Sequence, residues 1–195
     1  MNIKNLPEAI GLFGLGLIGS ALATRLIAAG VTVRGFDPDP NCMARFETLG
    51  GQPMPPDQIW GTEHVISAVF STDQLAQLVA QAPVSNGGAV ISVSTCDPSL
   101  MPELAEEAAK KGYDLIEAPI SGTSADLAAG DAILLVAGDT AIAEDLAPVF
   151  EVLSRAHFQV GEIGNGNRAK LAINLVLGLS RAALYRRIEK HGIEM

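Results

Sequence analysis

A glycine-rich turn between a predicted strand and a predicted helix constrains the fold of this chain more than any other feature. An apolar run at residues 9–13 leads into Gly14-Leu15-Gly16-Leu17-Ile18-Gly19, which has the spacing G-x-G-x-x-G. Residues 20–29 repeat apolar positions at helical spacing, and residues 31–36 alternate as a strand does. The chain is therefore predicted to begin with a strand, a tight turn, a helix and a second, parallel strand.

Such a turn is typical of sites that bind the diphosphate of a dinucleotide. Its first glycine permits the turn, its second lets the diphosphate approach the backbone, and its third lets the helix pack on the sheet. The N-terminus of the following helix offers unpaired N–H groups to the phosphates. All six residues, Gly14 to Gly19, are therefore predicted to contact a cofactor. A plain packing turn remains the alternative, because glycines match this spacing by chance elsewhere.

Asp37 stands at the end of the second predicted strand, where a carboxylate accepts hydrogen bonds from the adenosine ribose. This residue favours NAD, and NADP fits less well. A carboxylate repels a 2′-phosphate, and the next residue is Pro38 rather than an arginine. The alternative is a turn role for Asp37 within Asp-Pro-Asp-Pro.

Strands and helices continue to alternate after this unit. The further strands are predicted at residues 64–70, 89–93, 114–117, 133–136 and 158–160. The further helices are predicted at residues 41–49, 72–79, 98–111, 124–129 and 140–153. This alternation predicts an α/β fold, a doubly wound Rossmann-type domain whose mostly parallel sheet has helices on both faces. Residues 1–165 are assigned to this dinucleotide-binding domain.

The end of the chain has a different pattern. Residues 167–190 contain no proline and could form one helix of roughly 36 Å. Only Asn174 is polar between residues 171 and 179, so this helix needs cover on several sides. Residues 166–195 are therefore assigned to one long C-terminal helix, and a homodimer formed through it is expected, because the apolar run would otherwise be exposed.

Two polar segments follow predicted strands at the edge where open α/β sheets bind their ligands. Ser94-Thr95 follows the strand at 89–93, and Pro119-Ile120-Ser121-Gly122 follows the strand at 114–117. The second segment offers a hydroxyl and backbone N–H groups that can hold a carboxylate. Each segment by itself could equally be a polar turn.

Lys170 and Asn174 are four residues apart and share one face of the predicted C-terminal helix. A cation near a helix N-terminus is electrostatically disfavoured, and desolvation favours the neutral amine further. Such a lysine can exchange protons near neutral pH. The alternative is a lysine that reaches solvent and an asparagine that bonds locally.

Together these segments resemble the β-hydroxyacid dehydrogenases typified by 3-hydroxyisobutyrate dehydrogenase. The resemblance covers about residues 9 to 180 and rests on four motifs in one order: residues 14–19, Ser94-Thr95, Ala118-Pro119-Ile120-Ser121-Gly122, and Gly164-Asn165-Gly166 with Lys170 and Asn174. It implies an NAD-dependent enzyme that moves a hydride between nicotinamide and a small 3-hydroxy acid, or the corresponding semialdehyde.

The resemblance also implies roles for individual residues. Lys170 would be the general acid/base at the alcohol oxygen, and Asn174 would orient that group. Ser121, Gly122 and Thr123 would hold the substrate carboxylate, while Thr95 would lie near the nicotinamide. Thr123 stands where the family commonly has a second glycine. Because threonine rarely adopts a positive φ, we expect an altered loop or a different substrate.

Members of that family continue into an all-helical domain, and we expect this chain not to include it. The chain is therefore expected to be the cofactor domain of a longer enzyme, or a shortened gene product. The main alternative function is a truncated, non-catalytic module that binds NAD or a partner. A 6-phosphogluconate dehydrogenase fits less well because extra basic phosphate ligands are missing. An imine reductase fits less well because this chain keeps Lys170, and a methyltransferase is a more distant alternative.

Charge and cysteine usage argue against several other classes. A net charge of −9 and a pI near 4.7 argue against nucleic-acid or anionic-membrane partners. Cys42, Cys96 and the three separated histidines show no disulfide framework and no metal-ligand spacing, so we expect no metal and a cytoplasmic setting. The uncharged run at residues 9–24 superficially resembles a signal peptide, but its glycines and short length argue against one.

Overall fold

The computed structural model of the chain describes residues 5–176. Its main layer is a six-stranded sheet of β1 (Ala9–Phe13), β2 (Thr32–Phe36), β3 (Gln52–Pro53), β4 (His64–Ser67), β5 (Ala89–Ser92) and β6 (Asp114–Glu117). All neighbours are parallel, in the order β3-β2-β1-β4-β5-β6. The strand order reverses between β1 and β4, and a ligand crevice forms at such a point. The predicted Rossmann-type sheet is confirmed.

Helices cover both faces of this sheet. The helices of the described residues are α1 (Leu17–Ala28), α2 (Pro40–Thr48), α3 (Pro56–Ile59), α4 (Thr72–Gln81), α5 (Met101–Lys110), α6 (Ser124–Ala129), α7 (Thr140–Asp145), α8 (Ala147–Leu153) and α9 (Asn165–Val176). Alternate residues of β1 enter two separate cores. Leu12 packs with Leu22 of α1 in one cluster, and Phe13 packs with Trp60 in the other. The predicted double winding is therefore confirmed.

A smaller sheet adjoins the carboxyl end of β6. It contains β7 (Ile120–Ser121), β8 (Ile133–Val136) and β9 (Ala156–Gln159), with β7 antiparallel and β9 parallel to β8. Reciprocal backbone hydrogen bonds of 2.9 Å between Glu117 and Ala137 join it to β6. The sequence analysis missed β3 and β7, because a two-residue strand is too short to show a period.

The largest differences between predicted and observed helix bounds concern two helices. The predicted helix at 140–153 is two helices that meet at Leu146, since Pro148 lies in the first turn of α8 and has no N–H to continue a ladder. The predicted helix at 98–111 begins only at Met101. The Asp97 carboxylate accepts hydrogen bonds from the N–H and hydroxyl of Ser99, which holds a turn before α5.

The C-terminal helix is described in part. Helix α9 begins at Asn165 and is described to Val176, whereas residues 177–190 of the predicted helix lie outside the described residues. The proposed domain division at residue 165 stays a prediction. Within residues 5–176, no helix is both long and apolar enough to cross a membrane.

Candidate functional site

A cleft of about 1380 Å³ opens at the carboxyl edge of the main sheet, beside the reversal in strand order. Nine of the thirteen predicted site residues line it together. They are Gly14, Gly16, Leu17, Ile18, Gly19, Asp37, Thr95, Gly122 and Lys170. Four other predicted site residues, Leu15, Ser121, Thr123 and Asn174, are not among the residues that line it.

The glycine turn contains two glycines that the fold itself requires. Gly14 has φ +86°, and a Cβ there would lie 2.5 Å from the Ala68 carbonyl oxygen. A Cβ on Gly19 would lie 1.8 Å from the Gly14 carbonyl oxygen. At Gly16, by contrast, a Cβ would meet no protein atom within 4 Å. Packing therefore explains Gly14 and Gly19 but leaves open space beside Gly16.

The N-terminus of α1 faces this open space in a form suited to an anion. Gly16 is its N-cap residue, no side chain caps the helix, and its first turn has no acidic residue. Leading N–H groups without a side-chain cap are the donors that bind phosphate at helix N-termini. The turn therefore fits the diphosphate of a dinucleotide.

Asp37 links the end of β2 to the glycine turn. Its Oδ2 accepts a hydrogen bond of 2.7 Å from the Leu15 N–H, and its Oδ1 accepts one of 2.9 Å from the Asp39 N–H. The turn role considered from the sequence is therefore present. A carboxylate has about four acceptor positions, so ribose hydroxyls can still bond to it. Asp39 instead caps α2, and the Asn41 N–H holds the pKa of Asp39 below its usual range.

The segment after β5 places Thr95 in the cleft and anchors its neighbours. The Ser94 hydroxyl donates a hydrogen bond to the Val69 carbonyl oxygen. Cys96 is buried, and burial raises the pKa of its thiol to about 11. The thiol therefore stays protonated at neutral pH and is unsuited to act as a nucleophile.

The segment after β6 carries its positive φ at Gly122 (+142°), whereas Thr123 has φ −94°. Thr123 forms a capping box with Asp126 at the start of α6. Its N–H donates to the Asp126 carboxylate at 2.7 Å, and its hydroxyl accepts from the Asp126 N–H at 3.1 Å. The loop therefore accommodates threonine without a positive φ. The substrate contacts expected of Ser121, Gly122 and Thr123 stay predictions.

Helix α9 directs polar side chains into the protein. Asn167, Lys170 and Asn174 are buried, and only 9% of Lys170 is exposed. The alternative interpretation required a lysine that reaches solvent, and the burial of Lys170 contradicts it. Leu175 and Val176 are 65% and 83% exposed, so the cover expected for the apolar run is not seen at these two residues.

A buried carboxylate that the sequence analysis overlooked contacts the start of α9. Glu117 is fully buried and accepts hydrogen bonds from the Gly164 N–H, the Asn167 N–H and the Asn167 side-chain amide. Burial raises the pKa of Glu117, although these hydrogen bonds act in the opposite direction. An acid that ends a buried strand was the available signal, because such a carboxylate needs partners.

The candidate metal ligands of the described part of the chain do not converge. Among residues 5–176, no cluster of three or more histidine, cysteine, aspartate or glutamate side chains could hold a metal ion.

The chain is similar to proteins whose names describe dehydrogenases. A family model described as the NAD binding domain of 6-phosphogluconate dehydrogenase matches residues 9–161. The chain is 30% identical over 182 residues to 2-(hydroxymethyl)glutarate dehydrogenase of Eubacterium barkeri, covering 90% of this chain and 60% of that protein. It superposes on a structure of Mycobacterium tuberculosis 3-hydroxyisobutyrate dehydrogenase with L-serine at a TM-score of 0.84 and 26% identity, covering 97% and 67% of the two chains.

Another relative has a different kind of name. The human cytokine-like nuclear factor N-PAC is 28% identical over 190 residues, covering 94% of this chain and 34% of that protein. The chain thus spans from about a third to about three-fifths of the length of these two curated relatives.

Proposed function

This chain belongs to the family of the NAD binding domain of 6-phosphogluconate dehydrogenase, and from that premise we propose that it transfers a hydride between NAD and a small 3-hydroxy acid or the corresponding semialdehyde. The observation that carries the proposal is the meeting of the glycine turn, Asp37, Thr95 and Lys170 in one cleft. The names of two relatives, a 2-(hydroxymethyl)glutarate dehydrogenase and a 3-hydroxyisobutyrate dehydrogenase, support the class of substrate.

In this proposal the glycine turn and Asp37 hold the cofactor. The N-terminus of α1 binds the diphosphate beside Gly16, where a Cβ would meet no protein atom. Asp37 accepts hydrogen bonds from the adenosine ribose and repels a 2′-phosphate, which favours NAD over NADP. When bound, the nicotinamide supplies or accepts the hydride. Thr95 contacts the nicotinamide end of the cleft.

Lys170 is the proposed general acid/base, supported by its burial and its place in the cleft wall. It takes the proton from the substrate hydroxyl during oxidation and returns it during reduction. Such proton transfer contributes about 10² to 10⁴ in rate. Asn174 lies on the same buried face of α9 and orients the hydroxyl. Ser121, Gly122 and Thr123 hold the substrate carboxylate.

We also propose a homodimer formed through the C-terminal helix, with residues 166–195 as the interdomain segment. The exposed Leu175 and Val176 support this assembly, because adjacent apolar side chains on a helix favour cover by another surface. A cytoplasmic setting is supported by Cys42 and Cys96, which are both free and buried.

The test combines binding and turnover on the purified chain. Calorimetric titration with NADH should show binding. Incubation with NAD and 3-hydroxyisobutyrate, 2-(hydroxymethyl)glutarate or L-serine should increase the absorbance of NADH as it forms. Lys170→Met should keep NADH affinity and lose turnover, since it removes the amine but keeps an extended side chain. Absence of NADH binding by the unaltered chain would refute the proposal.

A second candidate is a non-catalytic module that binds NAD or a protein partner. It is favoured by one relative that is named as a nuclear factor. The module would be supported over the enzyme if the chain binds NADH but turns over no substrate in the panel. Lys170→Met should then bind NADH as the unaltered chain does.

A further inference from the structure

Hydrophobic burial does not explain the orientation of α9. An ordinary surface helix turns its apolar stripe to the core and its polar face to water. Here Asn167, Lys170 and Asn174 form the buried face, at spacings of three and four residues, while Leu175 and Val176 are exposed. Each residue step turns a helix by about 100°, so a small rotation of α9 would take Lys170 out of the cleft. Polar contacts must therefore select this rotation.

Glu117 supplies the principal contacts of that kind. Its carboxylate accepts hydrogen bonds from the backbone N–H of Gly164, the residue before α9, and from that of Asn167 in the first turn of α9. It also accepts from the side-chain amide of Asn167. Backbone donors fix the position of the helix end along and across its axis, whereas the side-chain amide fixes which way the helix faces. One carboxylate therefore constrains both the position and the rotation of α9.

Asn167 extends the contact to the segment that carries Thr95. Its Oδ1 accepts a hydrogen bond of 2.7 Å from the Cys96 N–H, 71 residues away along the chain. Both polar atoms of the Asn167 side chain are therefore used, one toward Glu117 and one toward Cys96. The pair joins the segment after β5 and the end of β6 to the first turn of α9.

Close backbone packing brings the same turn onto the sheet. A Cβ on Gly166 would lie 2.9 Å from the Leu135 carbonyl oxygen and 3.0 Å from the Glu117 Cβ. The absence of a side chain at Gly166 thus lets α9 approach β6 and β8 closely enough for the carboxylate to reach its donors.

We infer that Glu117 and Asn167 are positioning residues, which set the rotation of α9 and thereby hold Lys170 in the cleft that Thr95 also lines. This inference rests on the proposed function of Lys170. Both side chains are fully buried and hydrogen-bonded to each other, so they act through Lys170 and not on the substrate. An acid faces an amide in this pair. A change in either side chain alters the hydrogen bond between them, while the backbone donors to Glu117 and the Cys96 N–H bonded to Asn167 remain.

An exchange of the two groups provides the test. Glu117→Gln replaces one acceptor oxygen by an NH2 group, which cannot accept from the N–H donors that face it, and Asn167→Asp leaves two carboxylates facing each other. In the double variant, the new amide can donate to the new carboxylate, which can still accept from the Cys96 N–H. Glu162→Gln is the matched control, because it removes a carboxylate from an exposed position just before α9.

The first readout needs no turnover. The chain is labelled with carbon-13 at lysine Cε, and Lys170→Arg identifies the Lys170 signal. The shift and pH titration of that signal should change in both single variants, return in the double variant, and stay unchanged in Glu162→Gln. NADH affinity should remain within about twofold in all of them, since the glycine turn is not altered. An unchanged Lys170 signal in both single variants would overturn the inference.

The second readout is turnover. Each single variant should lose about 10- to 100-fold in kcat, because a misplacement of about 1 Å can cost that much, and the double variant should recover most of the loss. Failure of the double variant to restore the Lys170 signal overturns the pairing. If the unaltered chain shows no turnover at all, the proposed enzyme fails while the Lys170 signal still decides the positioning. If Glu117→Gln does not fold, the comparison between Asn167→Asp and the double variant decides it.

Discussion

The backbone N–H of Leu15 donates a 2.7 Å hydrogen bond to the carboxylate of Asp37, across 22 residues of sequence. Leu15 is the second residue of the glycine turn, and Asp37 follows β2. The bond holds the group proposed to select the ribose in a fixed position relative to the turn proposed to bind the diphosphate. The proposed recognition of the diphosphate and of the ribose is therefore coupled through one carboxylate.

Asp37→Asn should change the cofactor preference. The substitution removes the charge that repels a 2′-phosphate and weakens the acceptors for ribose hydroxyls, since hydrogen bonds to charged groups contribute about 1.5–3 kcal/mol. The ratio of NADPH to NADH affinity should rise about tenfold or more. Calorimetric titration with both cofactors measures it. Asp39→Asn is the control, because Asp39 is a neighbouring acid outside the cleft lining, and it should leave the ratio unchanged.

Gly16→Ala and Gly19→Ala should fail in different ways. A Cβ on Gly16 meets no protein atom within 4 Å, so Gly16→Ala should fold normally but lose NADH affinity by about tenfold or more, because the methyl group occupies the space of the diphosphate. A Cβ on Gly19 would lie 1.8 Å from the Gly14 carbonyl oxygen, so Gly19→Ala should lose at least about 1–3 kcal/mol of unfolding free energy. Urea unfolding and NADH titration separate the two effects. Normal NADH binding by Gly16→Ala would place the diphosphate elsewhere.

Glu117 should make stability fall as the pH rises. Burial raises its pKa above the usual 4.5, so the folded state binds a proton that the unfolded state has already released. The unfolding free energy of the unaltered chain, relative to Glu117→Gln, should therefore be highest below pH 4.5 and decline as the pH rises through the raised pKa. Urea unfolding from pH 4.5 to neutrality measures this difference, with Glu162→Gln as the exposed comparison. A relative stability that increases with pH would contradict the burial argument.

Thr123 should contribute to stability through the cap of α6. Thr123→Ala removes the hydroxyl that accepts from the Asp126 N–H, so the unfolding free energy should fall by about 1 kcal/mol. Thr123→Ser keeps a hydroxyl and should lose much less. Urea unfolding of the three proteins checks the order. Equal losses in the alanine and serine variants would mean that the methyl group, and not the cap, stabilises this segment.

Much of the fold could be predicted because it is encoded locally. The strands at Asp114–Glu117 and Ile133–Val136 and the helix at Ser124–Ala129 have the predicted bounds. Apolar spacing reveals a strand or helix without reference to distant residues. The two-residue strands β3 and β7 were missed, since pairing with a neighbouring strand and not a local period defines them.

Less of the candidate site could be predicted. The glycine turn and Asp37 were accessible because they lie within one short unit of the chain. The contacts of Glu117 could not be predicted, because its donors Gly164 and Asn167 are 47 and 50 residues away along the chain. The commitment of Thr123 to a helix cap was also missed, although its partner Asp126 is only three residues away. A threonine followed three residues later by an acid has capping-box spacing, but this spacing by itself does not distinguish a helix cap from a substrate-binding loop.

The sequence by itself determined the alternation of strands and helices, the glycine turn and the acid at the end of the second strand, because periodicity and backbone freedom are properties of neighbouring residues. Only the tertiary structure decided that nine predicted site residues line one cleft, and that α9 turns polar side chains inward. Those outcomes depend on which distant groups meet when the layers pack. A hydrogen bond between buried groups selects one rotation of a helix, and no local pattern records its partner.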